Sequence, residues 1–307
     1  MDSSVMVFAP APQLTVTIEQ QADSVELHVH PGSQGIWQAR MVAALGVPVT
    51  LCVAAGGETG DIIVRLLQQE DVRVRAVARA SDSGWYVHDR RDGNRTAIAE
   101  HPGAPLLRHD LDELYTTTLT EGLKATVSIL SGAAGTEVVD ADVYRRLAAD
   151  LRTHGGKVVA DLSGDNLTAV LAGGVSFLKV SHEELIDDGR AANDSVAELV
   201  KAAHALREEG ADAVLISRAD EAAIALIEDE ALAVELPALQ VVDHRGAGDS
   251  MTAGVASVLA RGGDLRDALR TGAAAGALNV TRHGLGTGRG EAVAQLIERV
   301  QLRPLDA

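Results

Sequence analysis

The stretch "VVDHRGAGDSMTAG" (residues 241–254) carries most of the information about fold and chemistry. An apolar, strand-like run leads into Gly246, Ala247 and Gly248, and Asp249 follows at the mouth of a helix-like run with Met251, Val255 and Val258. A small-residue turn between strand and helix leaves the first helical N–H groups free, and with the helix dipole these form an anion site. The glycines allow a close approach that a side chain would block. A carboxylate beside a bound phosphoryl group suits accepting the proton of an attacking hydroxyl, while the N–H groups stabilise charge on the group in transfer. Taken alone, G-A-G-D also fits a plain tight turn with Asp249 as an N-terminal helix residue. Only context raises it above that.

The 307 residues suffice for one large domain, or one domain with an appendage. A formal net charge of −17 gives little support for a nucleic-acid or anionic membrane surface. It does not exclude an anionic ligand, because backbone N–H groups can hold phosphate on an acidic protein. No run approaches the ~20 apolar residues that span a bilayer, and the N-terminus lacks the basic segment of a secretory signal. A single cysteine, Cys52, excludes an intrachain disulfide framework and a multi-thiolate metal site; inside an apolar strand it reads as an inert core thiol. The expected compartment is the cytoplasm.

From about residue 40 onward, apolar runs alternate with helical patterns. "PVTLCVAA" (48–55), "VRVRAVA" (72–78), "ATVSILSG" (125–132), "KVVADLSG" (157–164), "VSFLKVS" (175–181) and "DAVLISR" (212–218) read as strands. Between them lie helix-length segments such as 60–70, Ala141–Thr153 and Ser195–Glu209. This predicts an α/β fold, a mostly parallel sheet flanked by helices on both faces, with a ligand at the carboxyl ends of the strands. Two segments break the rhythm: 14–31 and 84–102 each read as a hairpin, the second around Asp92-Gly93. They predict a small antiparallel β lid (14–31 and 84–102) on an α/β body of residues 1–13, 32–83 and 103–307.

There is no G-x-x-x-x-G-K-[ST] loop, no G-x-G-x-x-G after the first strand, no G-x-S-x-G elbow and no H-E-x-x-H. What remains resembles the ribokinase-like PfkB family of carbohydrate kinases. "DHRGAGDSMTAG" resembles its late D-T-x-G-A-G-D signature, and "PGSQGIWQARMVAALG" (31–46) its early Gly-rich loop opening a helix. "VVADLSG…LKVSHEEL" (158–185) resembles the D-x-S-G…K-P-N-x-x-E-L of the phosphofructokinase and tagatose-6-phosphate kinase branch, and "HGLGTG" (283–288) the late Gly-rich stretch. The four occur in order over nearly the whole chain.

The resemblance implies an ATP- and Mg²⁺-dependent kinase acting on a sugar or sugar phosphate. Asp249 takes the catalytic-base position, and the backbone of Gly246, Ala247 and Gly248 the anion hole. Lys179, Ser181, Ser217 and Gly286 fall on the nucleotide side, and Glu184 matches the acidic residue associated with Mg²⁺. Gly32, Gln34, Gly35, Trp37 and Thr15 fall on the acceptor side. A homodimer through the lid is a further implication.

Departures cluster on the acceptor side: Thr15 ends the opening segment where the branch has aspartate, Gln34 replaces a basic residue and Trp37 an asparagine. A nucleoside kinase with Trp37 or Trp85 stacking on the base, or a degenerate member that only binds a metabolite or nucleotide, therefore stays open. His28 and His30 share one face of a strand and read as surface imidazoles or as ligand-facing ones, Arg40 as a helix arginine paired with a carboxylate or as an acceptor-side residue, and Asp161 as a strand-end turn residue or a support for the phosphate or metal region.

Overall fold

The computed structural model describes residues 3–133, 138–236, 239–282 and 284–305; His283, first residue of the late Gly-rich stretch, lies outside them. The first part of the chain runs β1 (Val5–Phe8), β2 (Gln13–Gln21), β3 (Ser24–Gly32), α1 (Gln34–Ala44), β4 (Val49–Ala55), α2 (Gly57–Leu67) and β5 (Arg73–Ala78). Then come β6 (Gly84–Asp89), β7 (Thr96–His101), α3 (Arg108–Gly122), β8 (Val127–Ser131), α4 (Ala141–Thr153), β9 (Lys157–Asp161) and α5 (Gly164–Gly173). β10 (Phe177–Ser181), α6 (His182–Asp187), α7 (Val196–Glu208), β11 (Val214–Arg218), β12 (Glu221–Ile227) and β13 (Glu230–Glu235) follow. The chain closes with α8 (Ala247–Ala260), α9 (Leu265–Asn279), α10 (Gly290–Ile297) and β14 (Gln301–Pro304).

Ten strands form the large sheet in the order β14-β13-β12-β11-β10-β9-β8-β1-β4-β5. It is parallel from β11 to β5, and the β12–β14 end is antiparallel. The strands expected at 48–55, 72–78, 125–132, 157–164, 175–181 and 212–218 all belong to its parallel part. The short apolar run at Val5–Phe8 was not expected to be a strand, yet β1 sits centrally between β8 and β4. Four residues give too little periodicity to read, and only pairing on both sides defines the strand.

Alternation along β1 shows how the sheet builds two cores. Val5 and Val7 join the cluster under α1, α8 and α9, while Met6 and Phe8 join the cluster under α3, α4, α5 and α7. With aromatics scarce, the second core is anchored by an edge-to-face pair, Phe8 and Tyr144, with ring centroids 5.6 Å apart and both side chains fully buried.

The smaller sheet has the order β3-β2-β6-β7. Each expected hairpin is antiparallel, and the two join through a parallel β2–β6 pair. The register puts Thr15 and Thr17 beside His30 and His28 on one side and beside Tyr86 and His88 on the other. These residues therefore share one face. Val16, Ile18, Val25, Leu27 and Val29 occupy the opposite face, where Leu27 is 64% exposed. No helix among the described residues is long and apolar enough to cross a membrane.

Phe8→Ala removes one half of the aromatic anchor with no room for collapse on a central strand. It is expected to cost about 3–5 kcal/mol, read as a lowered urea midpoint at unchanged slope.

Candidate active site

Side chains converge where β8, β9 and β10 end. Strand pairing places Ser131 beside Asp161 and Asp161 beside Lys179. The Lys179 ammonium donates to Asp161 Oδ1 at 3.3 Å, and both residues are buried. Asp161 Oδ2 accepts from Gln38 Nε2 at 3.2 Å and from the Thr252 hydroxyl at 2.9 Å, and Ser131 Oγ donates to Gln38 Oε1. Asp161 is thus the hub of the site rather than a strand-end turn residue, and the strand register is the reason.

The glycine-rich turn lies over this hub. Gly246 is the N-cap of α8 at φ 67°, a left-handed conformation that glycine adopts without penalty. The Ser250 N–H closes the first helical bond on the Gly246 carbonyl, so the N–H groups of the turn before it have no partner within the helix. At Gly248 a β-carbon would collide with Lys179 Nζ. The absence of a side chain lets the ammonium reach the turn. Asp249 is 8% exposed, with the Gln34 side chain near enough to favour its ionised form, while Gln34 Oε1 accepts from the Gly132 N–H at 2.6 Å.

Burial, reinforced by Asp161, pushes the Asp249 carboxyl well above the usual carboxylate range, against the pull of Lys179. Burial also raises Asp161. Burial works against the Lys179 charge, but Asp161, Glu184 and Asp249 outweigh it and hold the ammonium protonated.

Two cavities flank the turn. One, of about 670 Å³, is lined by Lys179, Ser181, Ser217, His244, Ala247 and Gly248 among others. The other, of about 700 Å³, lies between the Thr15/His30/His88 face of the smaller sheet and a wall formed by Arg40, Glu70, Asp243 and Gly284–Gly288. The turn at 243–248 is therefore a wall shared by both. Asp243 faces one side; Ala247 and Gly248 face the other.

The expected site residues divide accordingly. Lys179, Ser181 and Ser217 meet in one cavity, while Gly286 lines the other, against the Trp37 carbonyl and away from that group. The cause is α9, which carries the late Gly-rich stretch to the lid side. Glu184 Oε2 accepts from the Ser181 N–H and hydroxyl in a capping box at the start of α6; among the described residues no hydrogen bond involves its Oε1. Among the described residues, no three His, Cys, Asp or Glu side chains surround a metal position.

On the acceptor side, Thr15 lines the second cavity with its buried hydroxyl unpartnered, and Gln34 reaches Asp249. Gly32 packs on Thr15, and Gly35 packs on Ala9 and Ser131. Neither tryptophan lines a cavity: Trp37 packs on the core with its indole N–H unpaired, and Trp85 stacks on His101. Their stacking on a base is not supported.

His28 keeps the exposure of a surface imidazole, its side chain 46% exposed, while it and the more buried His30 both line the lid-side cavity. Burial, then Arg40 and neighbouring cations, lowers His30 to about 4, and burial with Arg95 and Arg90 lowers His88 to about 4. Arg40 pairs with Glu70 as expected. Gln38, Ser131, Thr252 and Asn279, all buried, were not singled out from sequence. The available signals were spacings: Gln38 lies one turn beyond Gln34, and Thr252 three residues beyond Asp249.

The comparisons agree with this geometry. Residues 6–291 match the pfkB family carbohydrate kinase model. The chain is 25% identical to 1-phosphofructokinase of Bacillus subtilis over 276 residues, 90% of this chain and 89% of that protein. It is 30% identical to ATP-dependent 6-phosphofructokinase isozyme 2 of Mycobacterium tuberculosis over 250 residues, 80% and 73% of the two chains. The structure of phosphofructokinase-2 from Escherichia coli in complex with potassium superposes with a TM-score of 0.84 at 25% identity, covering 97% of this chain and 99% of that one. The protein belongs to the pfkB family of carbohydrate kinases, with the ribokinase-like fold, and is a phosphofructokinase-like sugar or sugar-phosphate kinase.

Gly248→Ala forces Lys179 off the turn without touching Asp249. Kinase turnover is expected to fall by about tenfold or more at a nearly unchanged melting temperature, measured by coupled assay and calorimetry.

Proposed function

We propose that the protein transfers the γ-phosphoryl group of ATP to a hydroxyl of a sugar phosphate in the cytoplasm. The carrying observation is the stretch from Asp243 to Gly248, which borders one cavity through Asp243 and the other through His244, Ala247 and Gly248, with Lys179 against Gly248 and Asp249 buried at the helical end, lining neither cavity. ATP occupies the cavity lined by Lys179, Ser181 and Ser217, and the acceptor the cavity under the smaller sheet. That second cavity is lined by Arg40, Arg90 and Arg95 and by Glu19, Glu70, Asp71 and Asp243. Arg40 is paired with Glu70 and Arg90 with Asp243, whereas Arg95 lies 5.0 Å over the Tyr86 ring with no carboxylate partner among the described residues. That guanidinium supports an acceptor that carries an anionic group.

Asp249 accepts the proton of the acceptor hydroxyl as that oxygen attacks the γ-phosphorus. The free N–H groups of the turn and the Lys179 ammonium take up charge on the phosphoryl oxygens. Glu184 Oε1 is available for Mg²⁺, which supplies charge neutralisation on the nucleotide phosphates. The smaller sheet acts as a lid that excludes water. The apolar outer face of that sheet, Val16 and Ile18 beside Val25, Leu27 and Val29, supports a homodimer through the lid.

Asp249 works only when ionised, and its raised pKa places the acid limb of kcat above the ordinary carboxylate range, with rate lost as pH falls through it. Asp249→Asn is expected to lower turnover by about 10³-fold or more with ATP affinity retained, measured by rapid quench and calorimetric titration. Near-normal turnover would sink the assignment. Leu27→Lys buries a charge in the dimer face and is expected to give monomers in sedimentation velocity; a monomeric parent protein would refute the lid dimer.

A further inference from the structure

Asp243 stands at the start of the shared turn and uses its two carboxylate oxygens in opposite directions. Oδ1 accepts from the Arg245 N–H at 3.1 Å and shapes the backbone into the turn. Oδ2 lies 3.3 Å from the Arg90 guanidinium, at the end of β6 in the smaller sheet. Arg90 is itself fixed to that sheet, its N–H donating to the Ile18 carbonyl of β2 at 2.8 Å. The side chains are only 15% and 14% exposed, so the pair is not the solvent-screened kind that contributes little.

Behind Asp243 the backbone is held firmly. The Val242 and Asp243 N–H groups both donate to the Val280 carbonyl, at 2.7 and 3.1 Å. The fully buried Asn279 amide donates to the Arg245 carbonyl at 2.5 Å and accepts from the Gly286 N–H at 3.0 Å. The next residue after Arg245 is Gly246, the left-handed N-cap that sets the direction of the Gly246–Gly248 N–H groups. The path from the smaller sheet to the anion hole is thus three residues long, and one ion pair forms its lid end.

We propose that Arg90 is a positioning residue: its ion pair with Asp243 makes the setting of the Gly246–Gly248 turn depend on the seating of the smaller sheet. This rests on reading the turn as the phosphoryl-binding element. Arg90 acts through Asp243 and not on the substrate, even though it lines the lid-side cavity. When the sheet is seated, the carboxylate is held between the guanidinium and the Arg245 N–H; when it lifts, only the local turn bond remains. Phosphoryl transfer is thereby tied to an acceptor-filled, closed site, and hydrolysis of ATP in the open site is restrained.

The test compares Arg90→Ala, Arg90→Lys, Asp243→Asn and the Arg90→Ala/Asp243→Asn double variant with the parent protein. Asparagine keeps an oxygen for the Arg245 N–H while losing the charge. Expected is a loss of kcat of about tenfold in Arg90→Ala and in Asp243→Asn, no further loss in the double variant, partial recovery in Arg90→Lys and an unchanged KM for ATP. Additive losses, or a raised acceptor KM at unchanged kcat, would overturn the proposal and make Arg90 a substrate-binding group. Hydrogen exchange of the unliganded proteins is the second readout: amides at 243–250 exchange about tenfold faster in Arg90→Ala if the link exists, and at parental rates if it does not. If the parent turns over no sugar phosphate, the functional reading fails while the exchange result still decides the link. Should Arg90→Ala not fold, Arg90→Lys and Asp243→Asn carry the same comparison.

Discussion

The buried ion pair between Lys179 and Asp161 is the constraint on which the site depends. Removing two charges from water is costly, and their attraction offsets that cost only when the remaining valences are filled. Here Gln38 and Thr252 complete Asp161, and Asp249 and Glu184 add to the field that holds Lys179 charged. The same cation faces three carboxylates at the strand ends, Asp161, Glu184 and Asp249. Without it, Asp161 and Asp249 would keep only neutral hydrogen-bond donors, and burial would drive both toward the neutral acid.

That arrangement explains why the turn is made of small residues. Lys179 holds Asp161 below and reaches the turn above, which requires that nothing stand between it and the backbone at Gly248. The left-handed cap at Gly246 turns the free N–H groups to the same place. Asp249 then follows inevitably as the first side chain after the turn, close enough to feel Lys179 and buried enough to be a base of raised affinity for protons. Anion binding and proton transfer are two consequences of one backbone path.

The acceptor side is built on a different principle. Its inner face alternates threonine, histidine and tyrosine along three strands, and two of its imidazoles are kept neutral by burial and by nearby guanidiniums. A bound anion would reverse that balance, since it screens the guanidiniums and favours the protonated imidazole.

The alternation of apolar strands with helices, the two hairpins and the turn around Asp249 were legible in the chain, because each is a local pattern with its own period or turn chemistry. So was the pairing of Arg40 with a carboxylate. β1 was not, being four apolar residues whose strand character comes wholly from its neighbours. Nor were the place of Asp161 at the hub, that of Gly286 in the lid-side cavity away from Lys179, or the turning of His28 and His30 toward that cavity. Each of those depends on which strands pair, in what register, and which face a sheet turns inward. By itself the sequence determined the class of fold and the small-residue turn that opens the helix at Asp249, since both follow from short-range backbone preferences. Only the tertiary structure decided that Lys179 meets Asp161 and Gly248, and that the stretch from Asp243 to Gly248 borders two cavities, because those contacts join segments distant in the chain through sheet order and register.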